Sequence, residues 1–291
     1  MTATALLHPE VSPGVVERFR TYAEIEIREN LDQSPASSAV LIFGGDGTLH
    51  RYLPQLSRLQ SPVLVVPSGS GNDFAKAIGI PNQKIALTAW KHFCSSPSNV
   101  RQIDLGEITA CSDKGGEAQE CALLFCCVAG IGMDAEANAQ ANRQPPWLKA
   151  KGGYLLAALR SLVAFRAVEM SVTAEGREIR RSAFLIAIGN AHRYGGGMKI
   201  APRAEPDDGL LDICFVPRMS KLKLLCWLPT IFFGGHLGLG GVEYFQSQRV
   251  TISSERALEV YADGECICGT PVAIRVIPKA LRVIVPVRIS L

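Results

Sequence analysis

The sequence predicts a two-lobed chain, an open α/β lobe followed by an all-β lobe, and three observations carry that expectation. Strand, glycine loop and helix occur twice in succession between Ala39 and Ile78. From about Ile103 onward the texture changes to short strand-like runs separated by polar turns. At 291 residues the chain is long enough to bury two cores. A composition of 47% hydrophobic and 20% charged residues with 27 glycines belongs to an ordered globular protein. The net charge of +3, with no dense Lys/Arg stretch among aromatics, leaves nucleic acid out of the expected partners.

In the first lobe, Leu6-Leu7 reads as a stub strand, Val15 to Tyr22 as a helix and Ile25 to Ile27 as an alternating strand. Ala39 to Phe43 is a continuous apolar run that ends in Gly44-Gly45, and Leu49, Leu53 and Leu56 then recur at helical spacing. Pro62 to Val66 repeats the strand and ends in a Ser/Gly loop, after which Phe74, Ala77 and Ile78 start another helix. In the second lobe the strand candidates are Ala122 to Val128, Glu169 to Thr173, Ala183 to Ile188, Leu210 to Val216, Val250 to Ile252, Leu258 to Ala262, Ala273 to Ile277 and Leu281 to Val285. Glu175-Gly176 reads as a hairpin turn, and Gly153 to Arg166 and Lys221 to Phe233 as helical interruptions. The lobes are expected at 1–105 and 106–285, with about 286–291 returning to the first.

No basic start followed by an apolar stretch marks an export signal, so a cytoplasmic protein is expected. The apolar stretch Leu224 to Phe233 is broken by Pro229 and falls far short of the roughly 20 residues that cross a bilayer. Nine cysteines without a C-x-x-C pair read as reduced core thiols.

The sharpest chemical signal is Gly44-Gly45-Asp46-Gly47-Thr48, at a strand-to-helix junction. Glycines there let backbone approach a ligand, the helix N-terminus attracts an anion, and the Asp46 carboxylate suits a Mg²⁺ ion bridging protein and phosphates. The plainer reading is a tight turn with a helix cap. The loop Pro67-Ser68-Gly69-Ser70-Gly71-Asn72-Asp73 should emerge on the same sheet edge, where open α/β sheets bind ligands, although Asn72 and Asp73 also suit a cap. Asp263-Gly264-Glu265 offers two carboxylates or a hairpin turn, and Pro206-Asp207-Asp208-Gly209 offers oxygen ligands for a hard cation or an acidic turn. His192 and His236 lack spaced partners and read as loop or packing histidines.

The ordered series GGDGT, PSGSGNDFA, GIGMDAEAN, GGGMKIAPRAEPDDGLLDI and ADGE, over residues 39 to 286, resembles the diacylglycerol kinase catalytic family, which also contains sphingosine and ceramide kinases. The resemblance implies a nucleotide-binding α/β lobe followed by a β-sandwich lobe, ATP and Mg²⁺ as cofactors, and a lipid with a free hydroxyl as acceptor. It implies that Gly44, Gly45, Asp46, Gly47, Thr48, Leu49, His50 and Arg51 line the phosphates together with Gly69, Ser70, Gly71 and Asn72. It implies Glu265 as proton acceptor, Asp46, Asp104 and Asp263 as further active-site carboxylates, and a structural Mg²⁺ on Glu205, Asp208 and the backbone of Leu210. His8-Pro9 stands where the family carries an Asn-Pro loop, so no catalytic role is placed before Gly44.

An NAD kinase-like enzyme and a nucleotide- or lipid-binding protein without turnover stay open as alternatives. A lipid acceptor implies transient contact with a membrane surface, and Met219 to Phe233, with its basic start and apolar remainder, could supply it, although Leu-rich runs as a rule face the core. A homodimer is compatible with the sequence, which does not decide it.

Overall fold

The computed structural model describes residues 1–31, 37–111, 122–142, 161 and 164–287, without the side chains of 134, 138, 140–142 and 227. The expected helix over Gly153 to Arg166 therefore lies almost wholly outside the described residues. The chain forms two compact units, Met1–Asp104 together with the segment from Pro278, and Leu105–Ile277.

The first unit is an α/β lobe. Its elements are β1 (Thr2–Leu7), α1 (Pro13–Arg20), β2 (Glu24–Arg28), β3 (Ala39–Gly44), α2 (Asp46–Leu59), β4 (Val63–Pro67), α3 (Asp73–Ala77), α4 (Gln83–Ser95) and the start of β5 (Val100–Ala110). The strands pair in parallel in the order β2-β1-β3-β4, and the far half of β15 (Val272–Ile284) joins β4 at Val283↔Val63. Residues 39 to 44 and 63 to 67 are buried throughout, as unbroken apolar runs require when helices cover both faces of a parallel sheet. Leu49, Leu53 and Leu56 form the buried stripe of α2. Phe19 meets Phe43 edge-on at 5.1 Å, and the buried Trp90 of α4 satisfies its indole N–H on the Phe19 carbonyl at 3.1 Å. Helix α4 was not foreseen, because its Ile85, Ala86, Ala89, Trp90 and Phe93 follow a short polar stretch without a strong start signal. Its true start is Asn82, whose side chain accepts the Ile85 amide at 3.0 Å.

The second unit is a β-sandwich built of antiparallel pairs. It contains β6 (Leu123–Phe125), β7 (Val128–Gly132), α5 (Met133–Asn142), β8 (Val168–Ala174), β9 (Arg177–Gly189), β10 (Leu211–Pro217), α6 (Lys221–Trp227), two 3₁₀ turns (Leu228–Phe233 and Gly235–Gly238), β11 (Glu243–Ser247), β12 (Arg249–Ser254), β13 (Glu259–Ala262), β14 (Glu265–Gly269) and the near half of β15. One path of pairing runs β14-β13-β7-β9-β8-β12-β15, while β10 joins β9 and β11 joins β10. Strand β9 pairs with β8 along its first half and lies between β7 and β10 along its second.

Two expectations change here. The run Ala122 to Val128 is two strands, because a bend at Cys126-Cys127 separates β6 from β7. The two expected strands Ala273 to Ile277 and Leu281 to Val285 are one, β15, continuous through Lys279 in the left-handed region at φ 55°. Strands β11 and β14 carry polar and half-exposed side chains and gave no apolar alternation to read. Of the eight described cysteines, all free, Cys126, Cys127 and Cys214 are core thiols as expected, but Cys111, Cys226 and Cys266 are exposed.

Candidate active site

In the first unit, β3 and β4 run side by side and end level, Gly44 opposite Pro67, so their loops leave the same edge of the sheet. The loops touch backbone to backbone. A Cβ on Gly69 would lie 2.7 Å from the Gly45 Cα, and one on Gly45 would lie 3.1 Å from the Gly69 Cα, which is why both positions lack a side chain. The Asp46 carboxylate spans the same gap: its Oδ2 accepts the Asp73 amide at 2.9 Å and its Oδ1 the Phe74 amide at 3.1 Å. Asp46 thus closes the first turn of α3, a task the sequence assigned to Asn72 and Asp73. Asn72, at φ 53°, instead turns back on Gly69, accepting its N–H at 2.9 Å and donating to its carbonyl at 2.5 Å.

The result is a rigid two-loop corner at the head of a 14-residue helix, α2. The first N–H groups of such a helix have no partner within it and carry its positive end. Gly47 and Ser70 are exposed there, with His50 partly exposed and Arg51 exposed on the following turn. That combination suits an oxyanion such as a phosphate chain. Asp104 lies on β5. It is 1% exposed and accepts the Lys279 amide at 2.7 Å, holding the left-handed residue of β15.

In the second unit, Asp263 and Gly264 have φ of 51° and 92° and form a two-residue turn between β13 and β14, with Ala262 and Glu265 facing across it. The Asp263 carboxylate is fully engaged. It accepts the amides of Cys126 at 2.8 Å, Cys127 at 2.8 Å and Val128 at 3.3 Å, and the Cys126 thiol at 3.3 Å. The carbonyls of that bend are taken by Asn190, through its side chain on Cys126 at 3.0 Å and its amide on Cys127 at 2.8 Å. Glu265, two residues on, is exposed, and its carboxylate makes no hydrogen bond or ion pair among the described residues. Sequence reading weighed Gly189-Asn190-Ala191-His192 for its histidine. The fully buried Asn190 is the member that shapes this turn, and a polar residue closing an apolar run was the signal.

The third group lies at the start of β10. Asp208 Oδ1 accepts the Leu210 amide at 3.0 Å, and the Gln246 amide group of β11 bridges Asp208 Oδ2 and Asp212 Oδ2, each at 3.2 Å. Glu205, Asp207 and Asp208 are exposed. Asp212 is fully buried, and its Oδ1 has no hydrogen-bond partner of good geometry, although the Tyr244 hydroxyl stands beside the carboxyl. Burial raises the Asp212 pKa above the carboxylate norm and raises that of Tyr244, while burial and then Arg193 and Lys199 lower that of His192. The Asp208 carboxylate beside the buried, incompletely satisfied Asp212 fits a Mg²⁺ ion in its chemistry. His236, buried with Nε2 on the Ile200 carbonyl at 2.8 Å, is a packing residue.

The α/β lobe carries a glycine corner suited to an oxyanion and the β-sandwich lobe an acidic hairpin, and the relatives that match this chain are kinases. The sequence pattern of the diacylglycerol kinase catalytic domain matches residues 8–108, and that of the YegS C-terminal NAD kinase beta sandwich-like domain matches residues 127–285. The chain is 34% identical over 257 residues to a diacylglycerol kinase of Mycobacterium tuberculosis, covering 86% of this chain and 77% of that one. It is 28% identical over 274 residues to a YegS-like lipid kinase of Pseudomonas aeruginosa, covering 91% and 83%. A crystallised diacylglycerol kinase of Bacillus anthracis superposes with a TM-score of 0.70 at 22% identity, over 98% of this chain and 96% of that one. An NAD kinase of Archaeoglobus fulgidus, solved with ATP, superposes at 0.56 and 15%, over 98% and 94%, a likeness of fold alone. The chain belongs to the diacylglycerol kinase family, with its YegS-type C-terminal domain.

Proposed function

We propose that the protein transfers the γ-phosphoryl group of ATP to a hydroxyl of a diacylglycerol-like or other long-chain lipid, with Glu265 as general base. One observation carries the choice of base: of the two carboxylates in Asp263-Gly264-Glu265, Asp263 is occupied by three backbone amides and only Glu265 is exposed and unengaged among the described residues. The lipid O–H proton passes to the Glu265 carboxylate as the oxygen bonds to the γ-phosphorus, and the bond to the β,γ-bridging oxygen breaks to release ADP. Phosphoryl transfer asks little covalent chemistry of a protein, so positioning and charge do most of the work. The head of α2 from Gly45 to Arg51 and the loop from Gly69 to Asn72 line the phosphates, Asp46 holds those two loops in register and Asn72 fixes the second on itself. Asp263 acts by setting the turn that presents Glu265. Glu205, Asp208 and the backbone of Leu210 would hold a structural Mg²⁺, whose charge would stabilise the acidic loop beside Asp212. Mg²⁺ accompanying ATP would neutralise phosphate charge.

The test is radiolabelled ATP with a total lipid extract and, in parallel, with NAD. A labelled lipid formed by the wild-type protein and lost in Glu265→Gln is the expected result. Label on NAD, or nucleotide binding with no turnover on any lipid, would overturn the reading.

A further inference from the structure

Helix α6 and the 3₁₀ turn after it face two ways. Leu224, Leu228 and Ile231 are buried, at 0%, 4% and 2% exposure, and fix the segment to the sandwich. Leu222, Leu225 and Phe233 point outward, at 71%, 47% and 85% exposure. Among the described residues eight large hydrophobic side chains are exposed, and three of them fall within this one stretch. Leu222 and Leu225, three apart on a helix, share a face. Such clustering is unlike the scattered single exposures of an ordinary surface.

The charge around these side chains has one sign. From Arg218 to Gly241 there is no Asp or Glu, while Arg218, Lys221 and Lys223 are all exposed. Lys223 donates to the Gly240 carbonyl at 3.3 Å, which ties the helix to the Gly-rich stretch that follows. The helix is too short to cross a bilayer, and no described helix is long and apolar enough to do so. Large apolar side chains flanked by cations on a short, anchored element have the make-up of an interfacial anchor, with the apolar tips in the acyl boundary and the ammonium groups among anionic headgroups.

We propose that Arg218 to Phe233 is the docking surface through which the protein rests on an anionic lipid bilayer, the apolar contact made by Leu222, Leu225 and Phe233. The expectation that core packing would account for this Leu-rich run is met by half of it only. The proposal rests on the lipid-kinase reading, since a long-chain acceptor lies in a membrane, but its test is separate.

Flotation with vesicles of phosphatidylcholine containing phosphatidylglycerol, compared with phosphatidylcholine alone, measures docking directly. Wild-type protein should float with the anionic vesicles. The triple variant Leu222→Ser, Leu225→Ser, Phe233→Ser should lose about tenfold or more in bound fraction. Lys221→Glu with Lys223→Glu should lose about fivefold for each cation, with sharp salt dependence. Thermal unfolding of each variant must match the wild type, and the outward position of these side chains predicts that it does. Equal flotation of wild type and triple variant, or equal flotation on neutral vesicles, would overturn the proposal. So would a concentration-dependent dimer that the triple variant abolishes, since the patch would then belong to a second copy. Phosphorylation of a lipid dispersed in detergent tests the kinase reading alone: an active enzyme that does not float sinks only the docking surface, and a floating enzyme without activity sinks only the kinase.

Discussion

The Asp46 carboxylate accepts the Asp73 backbone amide at 2.9 Å, joining two loops that are 27 residues apart in the chain. With Phe74 on its other oxygen, Asp46 acts as the cap of α3 from outside that helix. Asp46→Ala should therefore lower stability by about 1–2 kcal/mol, as loss of a capping acceptor does. It should also weaken nucleotide binding, while Asp46→Asn, which keeps one acceptor, should recover part of both. Urea unfolding and nucleotide titration of the two variants check this.

Gly69→Ala places a methyl group 2.7 Å from the Gly45 Cα, where only backbone can yield. The cost expected for such overpacking is about 1–3 kcal/mol, with the loops forced apart and ATP affinity reduced. Gly45→Ala, at 3.1 Å, should show the same effects more weakly. Equal and negligible effects would disprove the close approach.

Asp263 and Glu265 should separate cleanly. Asp263→Ala strands three buried amides and should cost about 3 kcal/mol, with activity lost through the displaced turn. Glu265→Gln should leave stability within about 0.5 kcal/mol of the wild type. Its turnover should fall about 100- to 10,000-fold, the usual worth of general-base assistance. Unfolding curves and initial rates measured on the same preparations distinguish the two.

Mg²⁺ should raise the unfolding temperature of the wild type and have little effect on Asp208→Ala. The cation would settle the buried Asp212 carboxylate, so EDTA should return the wild type to the variant's response. Identical Mg²⁺ responses in the two proteins would refute the site.

His236 is buried on the Ile200 carbonyl, and burial lowers its pKa below the ordinary 6.5. The unfolded chain then takes up a proton more readily than the folded one. Stability attributable to this residue is present above pH 6.5 and is lost as the pH falls from there toward the lowered folded value, with a slope of at most about 1.4 kcal/mol per pH unit. Urea midpoints from pH 7.5 to 5 should show that slope, and His236→Gln should flatten it.

The first lobe was legible because its signals are local: runs of Val, Leu and Ile bounded by glycine, then leucines at helical spacing. The glycine loops and the 263–265 turn were legible for the same reason. What the sequence could not show is who holds whom. That Asp46 serves α3, that Asp263 serves the Cys126-Cys127 bend and that Asp104 serves Lys279 are contacts over 27, 137 and 175 residues, and no periodicity encodes a partner at that distance. Of the carboxylates read as chemical, Asp46, Asp104, Asp208 and Asp263 each accept a backbone amide, while Glu265 accepts none among the described residues. Helix α6 misled in the opposite sense, since an apolar count does not say which leucines turn inward.

The pairing of Val283 with Val63 also orders events in time. The first lobe gains its β15 strand, the Asn99 contacts with Val285 and the Gln60 contact with Ala280 only from residues that leave the ribosome after the entire β-sandwich. Until residues beyond Pro278 are made, nascent Met1–Asp104 lacks the β15 partner for the edge of β4. A fragment stopped at Asp104 would expose that edge permanently and should be prone to aggregation.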